Sequence, residues 1–264
     1  MRTALLLLAA LWAVVLRAQS ADSVRTIPGR FDLFTTDELG NVYALRGDEL
    51  QLFNAEGKSW LRNSMKTFGR ITHIDAFQSL KPVVFAQEQG QLAVLDNTLA
   101  VQGSVINLPR EGYPQVDLAC ASVQNCFWFF DPRELELVRV NAKLTTLNTS
   151  GRLDQLLGFT PHPAQMQELD NWLYVNDPAH GILVFDLFAT YYKTIPVIGA
   201  TRFEVRGNDL WYMQGDTLHR YDRRTFTTDH FPMPGEGTVR DARIERGHLY
   251  LLREDRIDIV PEGR

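Results

Sequence analysis

Asp37-Glu-Leu-Gly-Asn-Val-Tyr-Ala-Leu45 carries a turn followed by an aromatic-bearing strand. Asp37 to Asn41 supply the turn residues, with Gly40 and Asn41 suited to positive backbone angles, and Val42 to Leu45 read as a strand. Outward from it, Arg30-Phe-Asp-Leu-Phe34 alternates like a preceding strand and Leu50-Gln-Leu-Phe53 follows a second turn at Gly47-Asp48. After the turn Asn54 to Lys58, Trp60 to Asn63 complete a fourth, outer strand. The stretch is thus one hairpin of a four-strand unit.

The same logic returns five times. Aromatic second strands appear at Pro82-Val-Val-Phe-Ala86, Phe127-Trp-Phe-Phe130, Trp172-Leu-Tyr-Val175, Leu210-Trp-Tyr-Met213 and Leu249-Tyr-Leu-Leu252. Taking Tyr43, Phe85, Phe129, Tyr174, Tyr212 and Tyr250 as equivalent gives separations of 42, 44, 45, 38 and 38 residues. That is the blade period of a β-propeller, so the fold expected is all-β, with six four-stranded antiparallel blades. A β-sandwich or two small barrels would use the same strands. The sixth unit lacks a fourth strand while Ser23-Val-Arg-Thr-Ile27 is unused, so the N-terminal segment is expected to pair onto the last blade. This closure removes two free sheet edges. One helical turn or two are expected within residues 151–159, from Leu153, Leu156 and Leu157.

The D-x-x-G-N-[apolar]-[aromatic] pattern of Asp37 to Tyr43 resembles the turn of NHL-type and sensor-type propeller repeats. Leu169-Asp-Asn-Trp-Leu-Tyr174, Arg206-Gly-Asn-Asp-Leu-Trp-Tyr212 and Arg246-Gly-His-Leu-Tyr250 keep fragments of it. With the Ala-Gln exit of its leader, the chain also resembles small exported propellers of unknown role from Bacteroidota. The resemblance implies the fold, and it transfers no activity.

The 264 residues are 45% hydrophobic and carry a formal charge of −5, which suits one large core and provides no basic field for nucleic acid. Arg2 precedes an apolar run from Ala4 to Leu16 that Arg17 ends, too short for a membrane span and followed by small residues. Residues 1–19 are therefore read as a secretory signal and 20–264 as a single propeller domain. No Cys follows the run for lipid attachment, and no later segment is apolar enough to span a bilayer. A soluble protein of the periplasm or the exterior is expected. In that oxidising setting Cys120 and Cys126 are expected to form a disulfide at the base of a hairpin.

The first strand of each blade should line a central channel. Asp32, Asp75 and Asp117 recur there at separations of 43 and 42, Glu204 takes a similar place in the fifth unit, and Gln165 or Gln167 and Arg243 or Glu245 are the counterparts in the others. Such carboxylates could hold Ca²⁺, which takes six to eight oxygens, or orient a small ligand, although any water-wide channel is lined by polar groups. No catalytic motif is present: the six histidines lack metal spacing, and no nucleophile elbow or phosphate loop occurs. Phe127 to Phe130 cannot all face one side of a period-two strand, so some are expected to face another blade or an interface. Loops 109–114, 159–163 and 231–237 are the irregular segments expected to carry contacts with partners. The leading expectation is a protein-binding or scaffolding module of a cell-envelope assembly, with enzymatic activity left open but not favoured. The alternative is a calcium-dependent hydrolase or small-ligand binder that uses the acidic channel.

Overall fold

The computed structural model describes residues 24–78 and 80–262, so the leader lies outside the described residues. It is a six-bladed β-propeller. Strand β1 (Arg25–Pro28) belongs to the last blade, and blade 1 follows with β2 (Leu33–Thr36), β3 (Val42–Arg46), β4 (Glu49–Phe53) and β5 (Ser59–Ser64). Blade 2 has β6 (His73–Asp75), β7 (Val83–Ala86), β8 (Gln91–Val94) and β9 (Ile106–Asn107). Blade 3 has β10 (Leu118–Ser122), β11 (Cys126–Asp131), β12 (Glu136–Val140) and β13 (Thr146–Thr149). A short helix, α1 (Leu153–Leu157), leads to blade 4, which has β14 (Gln165–Leu169), β15 (Trp172–Asp177), β16 (Gly181–Asp186) and β17 (Tyr191–Ile195). Blade 5 has β18 (Arg202–Arg206), β19 (Asp209–Gln214), β20 (Thr217–Asp222) and β21 (Thr228–Pro232), and blade 6 has β22 (Asp241–Glu245), β23 (His248–Leu252) and β24 (Arg256–Pro261).

Each blade is an antiparallel meander, and β1 completes the sixth by pairing with β24, Ile27 opposite Ile257. The expected closure by the N-terminal segment is present. Ile27 is fully buried, and the buried Arg253–Asp258 ion pair at 2.7 Å braces the same blade.

Both faces of every blade are covered by neighbours, so the core is six wedges rather than one mass. Tyr43 and Leu45 pack on Val84 of blade 2, and Phe34 and Val42 pack on Tyr250 and Ile259 of blade 6. This explains Phe127 to Phe130. Phe127 and Phe129 fill the wedge against blade 2, Trp128 and Phe130 the wedge against blade 4, and all four are buried.

Strand pairing corrects the aromatic alignment. Thr35, Asp75, Cys120, Gln167, Glu204 and Arg243 stand opposite Tyr43, Val83, Trp128, Tyr174, Trp211 and Tyr250. Tyr43, Tyr174 and Tyr250 are therefore equivalent as expected. The partners of that set in blades 2, 3 and 5 are Val83, Trp128 and Trp211, one or two residues before Phe85, Phe129 and Tyr212. Each member of the corrected set faces the following blade.

Asp37 is a structural anchor. One carboxylate oxygen accepts from the Leu39 and Asn41 amides at 2.9 Å, and the other from Asn41 Nδ2 at 2.9 Å and the Tyr43 hydroxyl at 3.4 Å. Burial, with the Asp37 charge beside it, pushes the Tyr43 hydroxyl well above its usual pKa.

Candidate functional site

The inner strands β2, β6, β10, β14, β18 and β22 stand side by side around the axis. Each is hydrogen-bonded within its blade on one side only, so its other edge presents unpaired N–H groups to the channel, which must find acceptors.

At three of the six junctions a side chain from the preceding blade supplies one. Asp75 Oδ2 accepts from the Ala121 amide at 2.9 Å, Gln167 Oε1 from the Val205 amide at 2.9 Å, and Glu204 Oε2 from the Ile244 amide at 3.1 Å. The three acceptors are equivalent in their blades, and so are the three donors. In blade 3 the same position is Cys120, whose sulfur lies against the Glu168 amide. Gln165 bridges one level higher, donating to Phe203 O at 2.9 Å and accepting from Phe203 N at 3.1 Å. Glu168 ties blade 4 back to blade 3 by accepting from Val123 N at 3.0 Å and from the buried Trp128 Nε1 at 2.6 Å.

The blade 6 to blade 1 junction uses arginines instead. Arg243 takes the equivalent position, ion-paired with Asp241 at 3.0 Å and stacked over Phe34. Arg240 donates to Phe31 O at 2.8 Å and Asp32 O at 3.2 Å. At the junction of blades 5 and 6, Arg206 bridges Glu204 at 2.6 Å and Glu245 at 2.5 Å. Burial, reinforced by Glu204, raises the Glu245 carboxyl to about 7 although Arg206 opposes the shift. His73 is pushed down to about 4, chiefly by burial and then by Arg202 and Arg243, with Asp75 opposing.

Of the residues expected to carry chemistry, Asp75, Glu204 and Arg243 line one axial cavity of about 40 Å³ together with His73 and Arg206. That is room for two or three waters. Asp32 and Asp117 do not join them. Their amides donate to Leu45 O and Phe130 O, the position that Thr72 takes in blade 2, so Asp75 lies three residues further along its blade. Asp32 accepts from Gly47 N at 2.6 Å in a turn, and Asp117 accepts from Gln87 Nε2 at 3.2 Å. Among the described residues, no three His, Cys, Asp or Glu side chains surround a common point that could hold a metal ion. Asp32, Asp75 and Asp117 are therefore not brought together as a set of calcium ligands.

The expected cystine is not formed either. Cys120 and Cys126 are buried free thiols. Cys120 stands opposite Trp128 and Cys126 opposite Ser122, a diagonal relation that spans roughly 7–8 Å in a sheet. A disulfide needs Cα atoms within about 7 Å. Burial pushes the Cys120 thiol well above its usual pKa.

The loops expected to meet partners are tied to the ring. Tyr113 donates to Leu144 O at 2.8 Å, Phe159 stacks on His180 with ring centres 3.7 Å apart, and Arg253 donates to the carbonyls of Pro234 and Gly237.

The fold is shared with structures of known proteins. Virginiamycin B lyase from Staphylococcus aureus is 11% identical at a TM-score of 0.64, over 90% of this chain and 98% of the lyase. A streptogramin B lyase is 9% identical at 0.64, over 90% and 96%. The Pan2 WD40 domain of Neurospora crassa is 9% identical at 0.56, over 89% and 90%. At such identities the likeness shows the propeller architecture alone. No protein-family model matches the sequence, and no curated protein matches it.

Proposed function

We propose that the chain is an exported β-propeller that acts as a protein-binding or scaffolding module in a cell-envelope assembly. The observation that carries this reading is the use of the channel carboxylates. Asp75 and Glu204 are taken up in joining blades, and the axial cavity of about 40 Å³ is below the size of an organic substrate. What is left for recognition is an open cavity of about 580 Å³ lined by Asp32, Thr72, Arg70 and Arg202, and the outside of a rigid ring, its turns and blade edges. Export is supported by the apolar run Ala4 to Leu16 between Arg2 and Arg17. The same architecture serves lyases and a WD40 domain, so the reading rests on the site and not on the fold.

The test is crosslinking of the tagged chain in envelope fractions, followed by affinity capture and mass spectrometry. One protein recovered in near-stoichiometric amount supports the scaffold. A chain that fractionates with the cytoplasm, or that stays monomeric and partnerless in the extract, overturns it.

A further inference from the structure

The wedge between blades 4 and 5 is not filled to its rim. Near the β18–β19 and β20–β21 turns a groove of about 250 Å³ remains open. Its apolar floor includes Val184, and Trp172 and the exposed Tyr192 form one wall, ring centres 4.9 Å apart and tilted by 43°. The other wall is cationic, with Arg223 and Arg224 from blade 5, and Lys193 lies 5.7 Å from the Tyr192 ring. No carboxylate lines the groove. In a chain of net charge −5, three cations around an aromatic slot form a local reversal of charge.

Arg223 is fixed before any ligand arrives. Its guanidinium lies 5.4 Å from the Tyr174 ring centre and donates to the Tyr174 hydroxyl, to Gly207 O and to Asn208 O. Three of its five N–H groups are thereby committed, leaving two for a ligand acceptor. A preset guanidinium loses little entropy on pairing with a carboxylate.

We propose that this groove binds a short peptide segment of a partner protein that presents an acidic side chain beside an aromatic or aliphatic one. The apolar side chain packs against the wall that Trp172 and Tyr192 form, and the carboxylate meets Arg223, Arg224 and Lys193. The volume suits one large side chain and is too small for an extended ligand. Trp, Tyr and Arg are the residues that dominate protein-interface energetics. Nearby, Asp170, Asp209 and Asp222 belong to the flanking turns and strand ends. These acids and the net negative charge disfavour a long polyanion, which needs a continuous basic track.

The proposal rests on the protein-binding reading and specifies its surface. Its test is calorimetric titration of the purified chain with two blocked tetrapeptides, one containing adjacent Glu and Phe, the other Gln and Phe. Binding of the Glu peptide at least fivefold tighter than the Gln peptide, and at least fivefold weakened in Lys193→Ala/Arg224→Ala and in Tyr192→Ser, supports the groove. Equal binding of the two peptides, or binding unchanged in both variants, overturns it. So does displacement of the Glu peptide by polygalacturonate at lower concentration than by unlabelled peptide, which would assign the groove to an acidic polysaccharide. All three substituted side chains are on the surface wall, and an unchanged melting temperature separates lost binding from lost folding. If a captured envelope partner is retained by the variants while peptide binding is lost, the scaffold reading stands and the partner-docking role of the groove is refuted. If the intact chain captures nothing, the scaffold reading falls and the titration alone decides the groove.

Discussion

Asp75 on the inner strand of blade 2 accepts a hydrogen bond at 2.9 Å from the amide of Ala121 on the inner strand of blade 3. The bond crosses between sheets, and Gln167 to Val205 and Glu204 to Ile244 repeat it at equivalent positions. The polar lining that looks like a binding site is thus a set of latches on sheet edges that have no strand to pair with.

Removing a latch leaves a buried amide without an acceptor. Glu204→Ala is expected to destabilise the fold by about 1–3 kcal/mol, whereas Glu204→Gln, which keeps an acceptor oxygen, costs less. Denaturant unfolding of both variants measures the difference. Equal stability of Glu204→Ala and the parent would refute the latch.

Two groups near the axis act on stability in opposite directions between pH 4.5 and 6.5. His73 is held down at about 4, so its contribution is present above its unfolded pKa of 6.5 and is lost as pH falls through 6.5 towards 4. Glu245 is raised to about 7, so its contribution is present below 4.5 and is lost as pH rises towards 7. His73→Gln should therefore remove an acid-side loss, and Glu245→Gln a loss on the neutral side, each of up to about 3 kcal/mol. Thermal melting across pH 4 to 8 reads both slopes, and parallel curves for parent and variants would contradict the assignment.

Buried free thiols have a direct chemical signature. Cys120 and Cys126 should be unreactive towards a thiol reagent in the folded chain, and two thiols should titrate after unfolding without reductant. Dithiothreitol should leave the melting temperature unchanged. A reductant-dependent melting temperature would instead indicate the cystine that the hairpin spacing suggests.

Because the described carboxylates do not gather around a point, neither EDTA nor millimolar calcium should shift the melting temperature. A calcium-dependent rise of several degrees would restore the metal-binding alternative for the channel.

The blade count, the closure by the N-terminal strand and the buried aromatics are legible in the sequence, because turn residues and apolar runs mark every hairpin. Depth along the channel is not. Asp32, Asp75 and Asp117 are evenly spaced, yet Asp75 lies three residues further along its blade, because turns and connections of unequal length separate the blades. A more regular signal than Asp37 to Tyr43 exists in the third hairpin. Asn54, Asp96, Asn141, Asp186 and Asp222 each accept a backbone amide within their own turn, in all five blades whose third and fourth strands are joined by a hairpin. Gly57, Leu99, Leu144 and Ala189 take positive φ three residues after the first four of these. Leu and Ala disguise that conformation, which glycine would have announced. The groove between blades 4 and 5 is hidden for another reason: Trp172 and Tyr192 meet across the blade 4 sheet, and Arg223 of blade 5 joins them only across the wedge.

The most direct test is quantitative capture of the envelope partner by a chain carrying both Asp75→Asn and Glu204→Gln, compared with the parent at equal folded fraction. If the channel joins blades and the outside binds, partner recovery is unchanged. Loss of the partner from the folded double variant would place recognition in the channel and contradict the account.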